Sequence, residues 1–331
     1  MIRVETISGQ ALAGNPMRDP VERRVPVVIP PGYEDGGGKD AYPTVYFLAG
    51  FAGGGSFTLG RSIWSETIPQ RVERLMRSGE IAPMIFVIPD CITRLGGSQY
   101  INSEATGRYE DHIVEDVVPF IDAHYSTLAD RDHRAVMGKS SGGYGASVLA
   151  MRHADTFGLV ADHSGDRYFE FCYRADIPHV VAALSQYHQS PKEFLREFPH
   201  PRAQRGRGWF TIVNMLAMAS CYSPNPTAEI GFDLPFDLET GEIVDSVWQR
   251  WLQHDPVTLA DRHADALRSL RTYYIDCGKW DEHHLQLGNR IYCRELDRLG
   301  VAHTYEEFEG GHSNTAHRYE RSLRIFSDAW T

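Results

Sequence analysis

The feature that most constrains the fold of this chain is a short apolar run that leads into a glycine-flanked serine and then into small residues. The segment reads Arg134-Ala135-Val136-Met137-Gly138-Lys139-Ser140-Ser141-Gly142-Gly143-Tyr144-Gly145-Ala146. This order predicts a strand, a sharp turn at Ser140 and a helix, which is the strand–turn–helix context of a G-x-S-x-G elbow. Such a turn requires small residues at Gly138 and Gly142, and it presents the Ser140 hydroxyl above the edge of a sheet.

The rest of the chain alternates short apolar runs with amphipathic stretches. The apolar runs predict strands at 26–29, 44–48, 84–89, 134–137, 159–162, 272–276 and 303–308. Apolar residues recur at helical spacing over 113–125 and 285–299, and a shorter stripe predicts a helix at 314–330. Several strands are apolar throughout, as is typical of a parallel sheet that is covered on both faces. The pattern therefore predicts an α/β fold with a mostly parallel central sheet and helices on both faces.

One stretch, from about 166 to 261, interrupts this alternation. It is rich in aromatic residues and in loop punctuation such as Ser223-Pro224-Asn225-Pro226. We interpret it as a largely helical insertion, or cap, that follows the sixth strand and lies over the carboxyl edge of the sheet, where ligands bind in open α/β folds. The expected organisation is a single domain over 1–331 with this insertion at about 166–261.

Charge and hydropathy exclude several classes of partner. The chain has 33 Lys and Arg against 44 Asp and Glu, and its formal charge of −11 repels nucleic acid and anionic membrane surfaces. No apolar run approaches the ~18 residues that a membrane helix needs, and residues 1–14 lack the pattern of a secretory signal. These features predict a cytoplasmic protein that acts on a small molecule, without nucleic-acid or membrane partners. A homo-oligomer remains open.

Neither disulfides nor metal ligands are predicted. The five cysteines are odd in number and form no C-x-x-C pair, so we expect reduced, mostly buried thiols. They are Cys91, Cys172, Cys221, Cys277 and Cys293. The acidic and histidine residues at 281–284 lack the H-E-x-x-H spacing and a companion cluster, which favours a solvated helix start over a metal site.

Ser140 is the candidate nucleophile. A serine hydroxyl attacks only when a base takes its proton, and a carboxylate must orient that base. In folds with this elbow the partners follow in the order serine, acid, histidine, each on a loop after a late strand. A phosphate-binding loop is excluded, because that motif needs a glycine at the position of His133.

The two late loops supply the predicted acid and base. After the run 303–308, His312 follows a glycine pair, whereas the rival His317 falls within a helical pattern, so we choose His312. After the run 272–276, Asp281 competes with Asp276 and Glu282. We choose Asp281, because Asp276 lies at the strand end, too early in the chain to turn toward the histidine.

Acyl transfer also needs backbone N–H donors that face the oxyanion of the tetrahedral intermediate. One donor is expected from Ser141, the residue after the nucleophile. The other is expected from the glycine-rich loop that follows the run 44–48, where the backbone can approach a ligand closely. We assign this donor to Phe51, with Gly50 as the second choice; a loop that is merely flexible is the alternative.

Together these segments resemble the putative esterase family, which includes esterase D (S-formylglutathione hydrolase), enterochelin esterases, feruloyl esterases and mycolyl transferases. The segments that carry the resemblance are 24–33, 42–50, 109–125, the elbow and the two late loops. The pattern Asp-x-Gly-x-x-Asp of esterase D matches 276–281 and supports Asp281. The glycine followed by a large residue in the family's oxyanion loop supports Phe51. The chain departs from many members in having Ser141 where they carry Met, and its insertion matches no substrate class.

The resemblance implies an α/β-hydrolase fold, a triad of Ser140, Asp281 and His312, and no cofactor. We therefore expect a serine carboxylic ester hydrolase that acts through an acyl-enzyme on a small to medium ester with an aromatic or apolar part. An acyltransferase, a thioesterase or a peptidase would use the same triad and stays open. A binding protein without activity is disfavoured, because it predicts a missing triad member.

Overall fold

A twisted sheet lies at the centre of the computed structural model, which describes residues 1–33, 40–60, 64–200, 204 and 206–331. In chain order the strands are β1 (Ile2–Ser8), β2 (Glu22–Val28), β3 (Thr44–Leu48), β4 (Ile85–Val87), β5 (Asn102–Ser103), β6 (Gly107–Arg108), β7 (Arg134–Lys139), β8 (Leu159–His163), β9 (Thr272–Gly278) and β10 (Thr304–Phe308). Strands β5 and β6 pair separately, and the others form one sheet in the order β1-β2-β4-β3-β7-β8-β9-β10. From β4 to β10 every neighbouring pair is parallel, whereas β2 is antiparallel to β1 and β4. The predicted mostly parallel sheet is confirmed.

Helices connect the strands. The α-helices are α1 (Ile68–Arg77), α2 (Tyr109–Asp111), α3 (Val118–His124), α4 (Ser141–Arg152), α5 (Phe169–Cys172), α6 (Ile177–Leu184), α7 (Pro191–Glu197), α8 (Trp209–Tyr222), α9 (Asp245–Leu252), α10 (Pro256–Arg262), α11 (Ala264–Arg268), α12 (Leu285–Arg298) and α13 (Arg318–Trp330). A π-helical segment, His112–Val117, joins α2 to α3. Single 3-10 turns lie at Gln10–Leu12, Gly55–Leu59, Arg131–His133, Arg174–Asp176 and Ser185–Tyr187.

All seven predicted strands are present, that at 44–48 with the predicted ends and the others with shifted ends, whereas β1, β5 and β6 lie outside the predictions. β1 is an edge strand whose side chains are mostly exposed or half-buried, so it lacks the apolar run that marks the inner strands. The predicted helix at 314–330 begins later, at Arg318, because 313–317 form the loop that follows the last strand. The helical stripe at 113–125 is divided between the π-helical segment and α3.

The two faces of the sheet bury separate apolar layers. Along β3, Val45 and Phe47 belong to one layer, while Tyr46 and Leu48 belong to the other, as expected from the alternation of side chains along a strand. Helices α1 and α13 cover the first face, and α4 lies against the second. Because both faces are covered, almost all side chains of the inner strands are buried, and several polar ones lie near the carboxyl ends of the strands, such as Asp162, His163 and Asp276.

The segment 166–261 is largely helical where the structure describes it, as predicted; residues 201–203 and 205 lie outside the described residues. It contains α5 to α10, and it follows β8, the sixth strand of the main sheet. Its buried aromatic side chains, including Phe169, Tyr222 and Trp251, belong to the same apolar layer as Tyr46 of the sheet. The segment therefore shares a continuous core with the second face of the sheet.

All five cysteines are free and buried, as predicted. Throughout the described ranges, no helix combines the length and the apolar character that a membrane span requires.

A buried carboxylate, that of Asp255, connects the end of the insertion to its beginning through hydrogen bonds. It accepts hydrogen bonds from the N–H groups of Tyr168 (3.1 Å) and Phe169 (2.8 Å), and from Val257 (2.9 Å) in the first turn of α10. Burial raises the pKa of Asp255 to about 6, although these hydrogen bonds lower it. In the unfolded chain this carboxyl has its ordinary value of 3.8, so the folded state holds the proton more tightly. Its stabilising contribution is complete below pH 3.8 and is lost as the pH rises to about 6.

Replacing Asp255 by asparagine is therefore expected to change how stability depends on pH. The free energy of unfolding of Asp255→Asn, minus that of the wild type, should rise between about pH 4 and pH 6 by about 3 kcal/mol, since one pKa unit corresponds to 1.36 kcal/mol. Urea unfolding at a series of pH values measures this difference. Asparagine also lacks one of the two acceptor oxygens of aspartate, and this loss changes the stability of the variant by the same amount at every pH. Parallel curves for the two proteins would contradict the prediction.

Candidate active site

The elbow at Ser140 has a strained backbone that its neighbours enforce. Ser140 has φ +58° and ψ −124°, a backbone conformation that residues other than glycine rarely adopt. A Cβ atom on Gly142 would lie 1.9 Å from the carbonyl oxygen of Leu48, and one on Gly138 would lie 2.3 Å from the carbonyl oxygen of Gly142. The Ser140 N–H donates to the His163 carbonyl of β8 (2.9 Å). The adjoining strands β3 and β8 thus hold the turn closed, and only glycine fits beside the serine.

Ser140, His312 and Asp281 come together at the carboxyl edge of the sheet. The Ser140 Oγ lies 3.0 Å from His312 Nε2, and His312 Nδ1 lies 2.7 Å from Asp281 Oδ2. With Nδ1–H donating to the carboxylate, Nε2 is the acceptor for the serine hydroxyl. Asp281 follows β9, and His312 follows β10, so two loops at the same edge bring both side chains to the serine. This is the geometry of a nucleophile, its base and an orienting acid.

Asp281 is held as an ionised carboxylate. Its side chain is 2% exposed, and burial alone would raise its pKa. The hydrogen bond and the charge of His312, together with the N–H of His283 (3.0 Å), outweigh burial and lower the pKa of Asp281 below its usual value. A carboxylate that stays charged at neutral pH can orient His312 and stabilise its protonated form.

The rival residues have other partners. Glu282 accepts the backbone N–H of His312 (2.6 Å), so it contacts the loop and not the imidazole. His317 is exposed just before α13, and its ring contacts Phe308. Asp276 faces away from His312, because it accepts hydrogen bonds from His163 (2.8 Å) and Arg318 (2.9 Å).

A second serine, histidine and aspartate lie in line beneath the elbow. His163 Nδ1 is 2.8 Å from Asp276 Oδ1, and His163 Nε2 is 2.9 Å from the Oγ of Ser322 in α13. All three side chains are at most 1% exposed, so no ester can reach this serine. Ser322 Oγ also donates to the carbonyl of Tyr319 (3.1 Å). We therefore regard the arrangement as a packing contact between α13 and the sheet.

The backbone N–H groups of Phe51 and Ser141 have no acceptor within the part of the chain that the structure describes. Both residues line the cavity in front of Ser140. The Phe51 loop is positioned by Ala52, which has φ +61° and donates its N–H to the Gly96 carbonyl (3.0 Å). A Cβ on Gly96 would lie 2.8 Å from the Phe51 ring, so this glycine makes room for the ring. The assignment of Phe51 and Ser141 as oxyanion donors stays a prediction.

The cavity has a volume of about 270 Å³, slightly below the usual range of ligand pockets. Several of its lining residues lie outside the predicted site. These are Lys139, Asp166, Cys172, Tyr173, Asp176, Phe210, Thr211, Asn214 and His283. Phe210 of α8 is 48% exposed, and its ring meets the Phe51 ring edge to face at 5.7 Å. The cavity thus has an aromatic wall at its mouth and a wall of polar side chains from the segment after β8.

Asp166 is a missed residue whose carboxylate lies beside the nucleophile. It is 7% exposed, and its Oδ1 atom lies 3.5 Å from the Ser140 Oγ. Its loop is anchored by Asp162, which accepts the Gly165 N–H (2.7 Å) and forms a buried ion pair with Arg167. One signal could have indicated it, because Asp166 comes directly after the carboxyl end of a central strand, where ligands bind in this kind of sheet.

Lys139, which lies between Gly138 and Ser140 in the chain, brings a positive charge to the cavity. Burial lowers its pKa, although the attraction of the carboxylates of Asp281, Asp166 and Glu282 raises it.

No group of three or more His, Cys, Asp or Glu side chains among the described residues is arranged to hold a metal ion.

Sequence comparisons place this chain among esterases. A model of the family described as "Putative esterase" matches residues 20–323. The esterase Rv1288 of Mycobacterium tuberculosis is 32% identical over 142 residues. An endo-1,4-beta-xylanase/feruloyl esterase of Xylanibacter ruminicola is 26% identical over 148 residues. Each match covers 43% of this chain, but only 28% and 19% of the length of those two proteins.

A solved structure extends the likeness to the whole chain. The S-formylglutathione hydrolase FrmB of Staphylococcus aureus has a TM-score of 0.60 with this structure and covers 99% of both chains, at 15% identity. At this identity the likeness concerns the fold alone, which is that of the α/β-hydrolases. The predicted fold class is confirmed.

Proposed function

This chain belongs to the putative esterase family, and on that premise we propose that it is a serine hydrolase of carboxylic esters whose triad is Ser140, His312 and Asp281. The family predicted from the sequence is confirmed by the match over residues 20–323. The observation that carries the proposal is the unbroken line of contacts from Ser140 Oγ through His312 to the buried Asp281, at 3.0 and 2.7 Å.

In the proposed mechanism the Ser140 Oγ attacks the carbonyl carbon of the ester, and His312 Nε2 takes the hydroxyl proton. The N–H groups of Phe51 and Ser141 bind the oxyanion that forms. His312 then gives the proton to the departing alcohol, which leaves the acyl group on Ser140. A water molecule, activated by the same imidazole, releases the acid and restores the serine. Asp281 holds Nδ1–H throughout and keeps Nε2 directed at the serine.

The proposed substrate is a small to medium ester with an apolar or aromatic part. The volume of about 270 Å³ admits a compact group, and the rings of Phe51 and Phe210 offer an aromatic surface beside the serine. The feruloyl esterase among the relatives is consistent with an aromatic acyl group. We further propose that the chain is one domain in which the segment 166–261 covers the cavity.

A fluorophosphonate probe tests the nucleophile directly. The activated serine oxygen attacks phosphorus and expels fluoride, so we expect stoichiometric labelling of the peptide that contains Ser140. Peptide mass spectrometry locates the label, and heat-denatured protein is the control that should take up none. Label on another serine, or none on the folded protein, would contradict the proposal. Parallel hydrolysis of aryl and alkyl esters of graded acyl length then defines the size of the acyl group.

A further inference from the structure

The two oxygens of Asp166 have different environments. Oδ2 accepts hydrogen bonds from Tyr173 OH (2.8 Å), Gln99 Nε2 (3.2 Å) and Ser141 Oγ (3.3 Å). Among the described residues, the one hydrogen-bond contact of Oδ1 is with the Ser140 Oγ at 3.5 Å, and that hydroxyl has a closer acceptor in His312. The carboxylate is therefore fixed by one oxygen, while the other faces the cavity with unused acceptor capacity.

Gln99 and two tyrosines make this orientation rigid. Gln99 Nε2 also lies 2.9 Å from the Tyr222 OH, and Gln99, Tyr173 and Tyr222 are buried. Displacement of the Asp166 carboxylate would remove the acceptor of the Tyr173 hydroxyl at 2.8 Å, at a cost of about 1–3 kcal/mol, whereas Gln99 Nε2 would keep the two tyrosine oxygens as acceptors. The free oxygen is consequently held toward the position of the substrate.

The same wall of the cavity contains further side chains with free hydrogen-bonding capacity. Within the described ranges, the Asp176 carboxylate receives no hydrogen bond or ion pair, and neither the Thr211 hydroxyl nor the Asn214 amide has a hydrogen-bond partner. These residues line the same cavity as the rings of Phe51 and Phe210. Lys139 also lines the cavity, and the carboxylates of Asp281, Asp166 and Glu282 attract its ammonium group.

We propose that Asp166 determines substrate specificity, by accepting a hydrogen bond from a hydroxyl or ammonium group that the ester carries close to its scissile carbonyl. The proposal rests on the proposed esterase function and names a substrate class for it. Asp166 Oδ1 lies 3.5 Å from the Ser140 Oγ, so it can reach a donor group that is two or three bonds away from the carbonyl carbon that the serine attacks. The same charge disfavours esters with a carboxylate at that position, because two like charges would meet in a cavity of low dielectric.

The test uses two matched series of esters and the full chain. One series keeps the alcohol constant and compares methyl butyrate, methyl 3-hydroxybutyrate, methyl 3-aminopropanoate and monomethyl succinate. The other keeps the acyl group constant and compares propyl acetate with glycerol monoacetate. In the wild type we expect kcat/KM for the hydroxyl or amino ester to exceed that of the matched unsubstituted ester by about tenfold or more in at least one series, the ratio that a hydrogen bond to a charged group provides. The hydroxyl and amino members show which donor is preferred.

Asp166→Asn should reduce this ratio to below about threefold and should improve the relative rate with monomethyl succinate. Asp265→Asn removes an exposed carboxylate and is the matched control, in which the ratio should equal that of the wild type. Asp166→Ser, with circular dichroism and thermal unfolding of each protein, provides a second variant if the asparagine protein folds poorly.

Three outcomes would overturn the proposal. The wild type could show no preference for the donor-bearing esters in either series, or the preference could survive in both Asp166 variants. The variants could also lower kcat/KM for all esters by one common factor, which would assign Asp166 a purely structural role. In these cases esters are still hydrolysed and the proposed function stands. A wild type that hydrolyses none of the esters and takes up no fluorophosphonate label would instead overturn the function as well.

Discussion

Replacement of Ser140 by alanine is expected to lower kcat on carboxylic esters by about 10⁴- to 10⁶-fold, while the protein folds as the wild type does. The substitution removes the oxygen that attacks the carbonyl carbon, and neither His312 nor the oxyanion donors can replace it. The side chain is half-buried, and among the described residues its hydroxyl hydrogen-bonds with His312 and Asp166, so its loss leaves the apolar layers intact. Initial rates with a fluorogenic ester, together with thermal unfolding, measure the two properties separately.

Ser322 is the matched control for this experiment. It too lies beside a histidine that contacts an aspartate, but it is buried beneath the elbow. Ser322→Ala should keep kcat within a few-fold of the wild type and lose about 1–3 kcal/mol of stability, because it removes the partner of His163 Nε2. Full hydrolysis by Ser140→Ala, or a loss of kcat in folded Ser322→Ala, would contradict the assignment of the nucleophile.

Replacement of Asp281 by asparagine is expected to lower kcat by about 10⁴-fold with little change in the fold. The asparagine amide can present N–H to His312 Nδ1, which stabilises the tautomer with the proton on Nε2. That tautomer cannot accept the proton of Ser140. Kinetics at saturating ester, across a pH series, measure the loss.

Glu282→Gln serves as the comparison for Asp281→Asn. Glu282 is exposed, and its carboxylate accepts the backbone N–H of His312, so we expect its replacement to cost less than about tenfold in kcat, as for a residue that positions the loop. Equal losses in the two variants, or a larger loss for Glu282→Gln, would contradict the choice of Asp281.

The strand–turn–helix at Ser140 and its meeting with Asp281 and His312 could be predicted from the sequence, because each leaves a mark in the order of the residues. Gly138 and Gly142 are required by contacts of 2.3 and 1.9 Å that a Cβ would make, and such a requirement is visible as a motif. Asp281 and His312 follow two apolar runs, and the carboxyl ends of parallel strands meet at one edge of the sheet. The choice between Asp276 and Asp281 could also be made from position alone, since the strand directs Asp276 toward His163.

The rest of the cavity could not be predicted in this way. Asp166, Tyr173 and Phe210 come from the segment that follows β8, and their approach to Ser140 depends on how that segment folds back. Phe210 reaches Phe51 because α8 lies across the cavity, an arrangement that no short motif encodes. Aromatic residues in such a segment are as compatible with a core as with a binding wall. Here Phe169 and Trp251 are core, while Phe210 lines the cavity.

The order of the strands has a further consequence for the kinetics of folding. Ser140 lies on a central strand, whereas His312 follows the edge strand β10 and is 172 residues away in sequence. The elbow requires only its neighbouring strands β3 and β8, whereas the contact with His312 also requires closure of this long loop, which is slow. During refolding, helical signal therefore returns before turnover does. The recovery of hydrolysis marks the moment at which the edge of the sheet docks and the nucleophile first meets its base.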